Sequence, residues 1–207
     1  MRHFNYSIDK PLPDTLELGG KKYKLTLYFD RVIRFYEMMR DKESEWSDSD
    51  KIDIAYSWFV SSPKNASMPE KYAVICTVND YWLTDRRKEP NAKKSRTAVN
   101  FIADSKYIYA AFRQYYGINL FEQQGRLLWW EFLAMFDALP SDSQMKEIMY
   151  IRTRDMPAYN GHNSDEILRL REQREYYFLD ENWEEIREES ENVLSTLFDR
   201  LAAEAAE

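Results

Sequence analysis

The chain has 207 residues, of which 44% are hydrophobic and 31% charged, and it contains 6 Trp, 15 Tyr and 11 Phe. This apolar fraction excludes a wholly disordered protein, and only 5 Gly and 7 Pro argue against a turn-dense β architecture. The net charge of −7 disfavours nucleic-acid binding, the single cysteine excludes an internal disulfide, and no apolar run reaches the roughly 18 residues of a membrane span, so we expect a soluble protein.

The N-terminal part of the chain predicts an arm followed by a β-hairpin. Residues 1–14 show no periodicity, whereas 15–18 and 22–27 alternate apolar and polar residues on either side of Gly19-Gly20. Glycine supplies the positive φ that a two-residue hairpin turn requires. Because an isolated hairpin is only marginally stable in water, this one must pack on the helices or pair with another chain.

Helical signals follow the hairpin. Asp30 is a candidate cap for a helix that ends near Arg40, Asp50 for a second helix, and Pro69 opens a third. Residues 85–96 have six basic and two acidic residues without an apolar period, which predicts an exposed basic linker.

The central region predicts three further helices. Gly117 is placed to end the first, Pro140 ends the second, and Ser141 or Asp142 is expected to cap the third. The short connections predict that these helices pack as neighbours. The helical spacing predicts four core residues, Ile108, Phe112, Phe132 and Phe136.

The C-terminal region is predicted to be a loop over 155–163 and then helix, with an apolar stripe on 192–206. Residues 165–191 carry eleven acidic and four basic residues, a net charge of −7. Like charges four residues apart repel, so we expect 164–206 to pack less well than 97–151.

The fold class predicted from these signals is mainly α: a helical domain with a small N-terminal β-hairpin and a long acidic C-terminal helix. The predicted domain limits are 1–14 for the arm, 15–156 for the hairpin and helical domain, and 157–207 for the loop and acidic helix.

The residues that usually carry chemistry are sparse. His3 and His162 have no second ligand at metal-binding spacing, and Cys76 stands beside an apolar residue, as a buried structural thiol does. Neither a phosphate loop nor a nucleophile motif is present. We therefore predict no catalytic residues, no metal, no cofactor and no enzymatic activity.

Aromatic residues are the remaining signal. Neighbouring residues on a helix point about 100° apart, so one of Trp129 and Trp130 can enter the core while the other reaches a different surface. Internal packing of both is the alternative, and a partner anchor is the functional interpretation. The candidate partner-binding residues are Trp129, Trp130, Tyr109, Tyr115, Tyr116 and Tyr23.

One long block resembles a known family. It consists of FIADSKYIYAAFRQYYGINL at 101–120, LLWWEFL at 127–133, the Leu139-Pro140 pair and EIMYIR at 147–152. It is similar to the "gene product fifteen" family of temperate siphophages and prophages of Gram-positive bacteria, whose pattern runs D-x-x-x-I-Y-A-A-F-x-x-x-Y-G-I-D-L, H-W-W-x-F, L-P and I-M-x-x-R. The resemblance covers about 12–156. Asn119 replaces the Asp of that pattern and Leu128 replaces its His.

The resemblance implies a tail assembly chaperone. Such a protein binds the tape-measure protein, recruits subunits of the major tail tube protein, and leaves before the virion matures. It implies the cytoplasm of the bacterial host as the location, no membrane, and the two tail proteins as partners. The exposed strand edge of the hairpin also suggests a homo-oligomer.

Three rival functions remain open. A head–tail connector or tail-completion protein would stay in the virion. A nucleic-acid-associated protein would use the basic linker 85–96. An enzyme of unrecognised type would need a site that the motifs do not show.

Overall fold

The computed structural model describes residues 9–41, 45–83 and 97–179. Within these ranges it has seven α-helices, one π-helical turn and a three-stranded antiparallel sheet near the N-terminus. The predicted fold class, mainly α with a small N-terminal hairpin, is confirmed. The predictions for most of the arm, the basic linker 85–96 and the helix over 192–206 lie outside the described residues.

The sheet is built on the predicted hairpin. Strands β1 (Thr15–Leu18) and β2 (Lys21–Leu25) pair antiparallel, and Gly19 and Gly20 turn the chain with φ of 58° and 75°. Strand β3 (Val60–Ser62) pairs with the other side of β2, which makes the order β1-β2-β3. The third strand was not predicted because three residues are too few to show an alternating pattern.

The first helix begins one residue before its predicted cap. Helix α1 (Phe29–Arg40) follows Tyr28, so the assignment of Asp30 as the cap is wrong. Asp30 lies in the first turn instead, where its carboxylate accepts a hydrogen bond of 2.9 Å from the backbone N–H of Gly125. This contact ties the start of α1 to the segment that precedes the Trp pair.

The next two helices begin with reciprocal hydrogen bonds. Helix α2 (Asp48–Phe59) is capped by Ser47, whose hydroxyl accepts from the Asp50 backbone, so Asp50 is the partner of the cap rather than the cap. Helix α3 (Met68–Val78) has Pro69 in its first turn, as predicted, and the π-helical turn Asn79–Leu83 continues it. A Ser followed three residues later by Asp or Glu is the usual form of such a capping box.

The four remaining helices are α4 (Ser105–Tyr116), α5 (Trp129–Asp137), α6 (Gln144–Thr153) and α7 (Ser164–Tyr176). Gly117 ends α4 with φ of 68°, as predicted. The cap of α6 is Ser143 and not Ser141 or Asp142, because the Ser143 hydroxyl accepts the Lys146 N–H.

The chain divides into two compact units, each discontinuous in sequence. The first comprises 1–92 and 118–138, and the second comprises 93–117 and 139–207. In the first unit α5 packs against α1, and in the second α6 packs against both α4 and α7. The short connections predicted that α4, α5 and α6 pack as neighbours. The structure differs for α5, which belongs to the first unit although it lies between α4 and α6 in the chain. The predicted domain limits 1–14, 15–156 and 157–207 stay a prediction.

The predicted core residues are buried. Ile108 and Phe112 lie in the second unit and Phe132 and Phe136 in the first, each almost without exposed surface. Among the described residues, no helix is both long enough and apolar enough to cross a membrane.

Candidate partner-binding surfaces

Trp129 lies in an aromatic cluster at the centre of the first unit. Its ring stacks on Phe132 with centroids 5.6 Å apart, and Phe132 stacks in turn on Phe29 at 5.1 Å. The Trp129 backbone N–H donates to the Leu27 carbonyl at 2.8 Å, which joins the start of α5 to the end of the hairpin. With only 2% of its surface exposed, Trp129 serves packing and offers a partner no surface.

Trp130 is half-buried, so the two Trp residues have different environments, as their angular separation on a helix predicts. Trp130 is therefore the member of the pair that a partner could reach. Its role in binding stays a prediction.

Tyr23 does not lie on a surface either. It stands on β2 and is buried, opposite Leu16 in the register of the hairpin. The alternation on β2 places Tyr23 and Leu25 inward and the lysines outward. This burial assigns Tyr23 to packing and removes it from the accessible candidates.

The three remaining predicted tyrosines are on α4 and are half-buried. Tyr116 packs edge-on against the buried Phe112 with centroids 5.6 Å apart. Tyr109 and Tyr116 are seven residues apart, so they share one side of the helix, whereas Tyr115 points elsewhere. The structure does not bring these tyrosines together with Trp130 in one unit.

Among the residues that the structure describes, the most exposed aromatic ones are not the predicted ones. In the first unit they are Trp46, Tyr72 and Phe121, and in the second they are Tyr150 and Tyr176. Each stands in a polar or charged stretch, or on the outer side of a helix. The predicted candidates were chosen for crowding of aromatics, and crowding marks a core as readily as a surface.

A lysine lies over one ring of an aromatic cluster in the second unit. The Lys106 ammonium lies 4.6 Å from the centre of the Tyr107 ring, and Tyr107 packs edge-on against Tyr177 at 6.0 Å. Tyr177 packs in turn against the exposed Tyr176 at 4.8 Å. A hydrogen bond to Tyr107 raises the pKa of Lys106.

A buried ion pair organises the second unit. Arg152 on α6 donates two hydrogen bonds of 2.7 Å to the carboxylate of Asp104, which directly precedes α4. The same guanidinium donates to the Tyr177 carbonyl at 2.6 Å and to the Ala98 carbonyl at 3.1 Å. These bonds satisfy a charge that would otherwise be costly to bury. They also fix the end of α7, where the aromatic cluster lies.

A second buried arginine closes the end of α6. Arg174 on α7 has no exposed surface, and its guanidinium donates to the Ile151 carbonyl at 3.1 Å and to the Arg154 carbonyl. The last carbonyls of a helix lack partners within the helix and carry partial negative charge, so a cation is favourable there. Nothing in the local sequence signalled this contact.

The largest pKa shifts among the described residues of the first unit are those of Tyr36 and Glu70. Burial raises the pKa of Tyr36 to about 12, and its hydroxyl donates to the Leu83 carbonyl at 3.1 Å. Hydrogen bonds from Lys21 and then from Ser67 lower the pKa of Glu70 to about 2. Both side chains also contact another element, since Tyr36 binds the Leu83 carbonyl and Glu70 pairs with Lys21 on β2.

Within 9–41, 45–83 and 97–179, no group of three His, Cys, Asp or Glu side chains is placed to hold a metal ion.

Comparison with known proteins identifies the family. The family model described as bacteriophage Gp15 protein matches residues 8–179, which is well over half of the chain and extends beyond the block that suggested the resemblance. A comparison with curated proteins gives no match, and neither does one with solved structures. The chain therefore belongs to the bacteriophage Gp15 protein family, and its role is a structural or morphogenetic one in a phage.

Proposed function

We propose that this protein is a phage tail assembly chaperone that binds the tape-measure protein and recruits tail tube subunits. The observation that carries the proposal is membership of the bacteriophage Gp15 family over residues 8–179. On this proposal it acts in the cytoplasm of the bacterial host, has no catalytic activity of its own, and is absent from the finished virion.

The surfaces of both units support a binding role. Large aromatic side chains are exposed on each unit, among them Phe121 with 70% of its surface accessible. Tyr and Trp are enriched at the anchors of protein interfaces, because they bury much area while losing few rotatable bonds. An amphipathic client helix would dock through its apolar stripe on such residues.

Co-expression with the tape-measure protein of the same phage tests the proposal. We expect the tape-measure protein to remain soluble and to co-purify with this chain, and to aggregate when expressed alone. The matched control is an unrelated acidic helical protein of similar size, which should not keep the client soluble. If the two proteins do not co-purify at any ratio of expression, the proposed function is wrong.

The alternative is a head–tail connector or tail-completion protein, which the same family membership allows. It differs in one observable respect, since a connector remains in the virion at a fixed copy number. Protein composition of purified virions therefore separates the two functions.

A further inference from the structure

The outward side of α3 is an uncharged helix face in the first unit. Met68, Tyr72 and Cys76 follow each other at four-residue spacing, with Pro69 and Ala73 beside them. Tyr72 has 59% of its surface exposed, and Met68 is exposed as well. These five residues are called the α3 face below.

The inward side of the same helix is apolar too. It buries three residues completely or nearly so, Val74, Ile75 and Val78. A surface helix usually turns charged residues to water on the side opposite its buried residues. The α3 face departs from that pattern, because none of its five residues is charged.

The charged residues of α3 are turned away from the α3 face. Glu70 pairs with Lys21 on β2, and it also accepts the Ser67 backbone N–H at 2.8 Å. Lys71 pairs with Asp53 on α2 at 2.9 Å. Each charge of α3 is thus neutralised by a neighbouring element of its own unit, one on the sheet side and one on the α2 side.

We propose that the α3 face is the interface between two copies of this chain. A twofold interface brings one patch against itself, so it must not set its own charges against each other. The α3 face meets that condition: its residues are uncharged, and each flanking pair contains one lysine and one carboxylate. A strongly charged partner would find no opposite charge on it.

The dimensions and chemistry of the patch fit a helix-to-helix contact. Met68 and Cys76 are eight residues apart, about 12 Å along the helix axis, which is more than two turns. Tyr and Met are enriched in the cores of protein interfaces, and charged residues are depleted there. Cys76 lies within the patch, so two copies would bring their cysteines to the same interface.

Sedimentation equilibrium of the full chain tests this proposal. We expect a mass near twice 24.9 kDa for the wild type and a self-association weakened by at least about tenfold in Tyr72→Glu, because the substitution places a charge in an apolar contact. Tyr150→Glu is the matched control, since Tyr150 is equally exposed at 59% but lies on α6 in the second unit. It should behave as the wild type.

Cysteine cross-linking gives an independent readout. Cys76 is the only cysteine, so a short bismaleimide should yield a single species of doubled mass from the wild type and at least about tenfold less from Tyr72→Glu. Should Tyr72→Glu fail to fold by circular dichroism, Ala73→Arg places a charge on the same face without removing a large side chain.

A monomeric wild type at about 100 μM, far above the dissociation constants of stable dimers, overturns the proposal. So does a dimer that Tyr72→Glu and Ala73→Arg leave unchanged, because another surface, such as the edge of β1, would then hold the copies together. Binding of the tape-measure protein does not enter these measurements, so their failure is separate from failure of the proposed function.

Discussion

Asp104 and Arg152 meet in two parallel hydrogen bonds of 2.7 Å inside the second unit, and both side chains are buried. Asp104 matches the first residue of the family pattern, and Arg152 matches its last. The guanidinium also holds the Ala98 and Tyr177 carbonyls, so one cation joins the segment before α4, helix α6 and the end of α7.

Removing one member of this pair should destabilise the protein strongly. We expect Asp104→Ala to lower the free energy of unfolding by about 3–5 kcal/mol, because it leaves the charge of Arg152 buried without its counter-ion. Urea denaturation measures the change. Glu166→Ala is the control, because it breaks the exposed pair with Arg154 and should cost no more than about 1 kcal/mol. Equal effects of the two substitutions would contradict the structural role of Asp104.

Phe112 and Phe121 allow the stability cost of removing a buried phenylalanine to be compared with that of removing an exposed one. Phe112 has no exposed surface, so Phe112→Ala should cost about 3–5 kcal/mol in free energy of unfolding through lost burial and a cavity. Phe121 is mostly exposed, and Phe121→Ala should change the free energy by no more than about 0.5 kcal/mol. Thermal or urea denaturation compares them. An unchanged transition in Phe112→Ala would mean that the buried side of α4 is assigned wrongly.

The contact between Lys21 and Glu70 should show in the acid titration. A carboxylate with a lowered pKa contributes stability that is present above its unfolded pKa of about 4.3 and is lost as the pH falls through its folded pKa of about 2. The Glu70 carboxyl resonance should therefore titrate near pH 2. In Lys21→Ala the midpoint should move upward, since the largest cause of the shift is removed. A midpoint near 4.3 in the wild type would show that the contact does not form.

Much of the fold could be predicted because local chemistry determines it. Gly117 ends α4, Gly19 and Gly20 turn the hairpin and Pro69 opens α3, each through its own backbone preference. The cap of α2 was predicted at Asp50 instead of Ser47 because both are good capping residues. Only the reciprocal hydrogen bonds between them distinguish the cap from its partner.

The long-range contacts could not be predicted in this way. Asp104 and Arg152 are 48 residues apart, and no spacing rule joins them. The burial of Trp129 and Tyr23 could not be predicted, because a large aromatic side chain suits a core and an interface equally well. The membership of α5 in the first unit depends on its contact with α1, which is likewise invisible in a local pattern.

Trp130 offers the clearest test of a client contact among the predicted residues. Because it is half-buried beside the fully packed Trp129, Trp130→Ala should leave the circular dichroism spectrum unchanged and reduce co-purification of the tape-measure protein by about tenfold, as loss of an interface anchor does. Tyr150→Ala on the second unit is the control for a general loss of exposed aromatic surface. A folded Trp130→Ala variant that retains the client fully would move the client site to another surface.

We propose that this protein assists tail assembly and does not become part of the tail. Quantitative mass spectrometry of purified virions, with the tape-measure and tail tube proteins as internal standards, tests it most directly. The chaperone function predicts that peptides from residues 8–179 are abundant in lysates of infected or induced cells and fall below one copy per virion after purification. A constant copy number in the virion, comparable to that of the tape-measure protein, would contradict the chaperone function and support a retained connector.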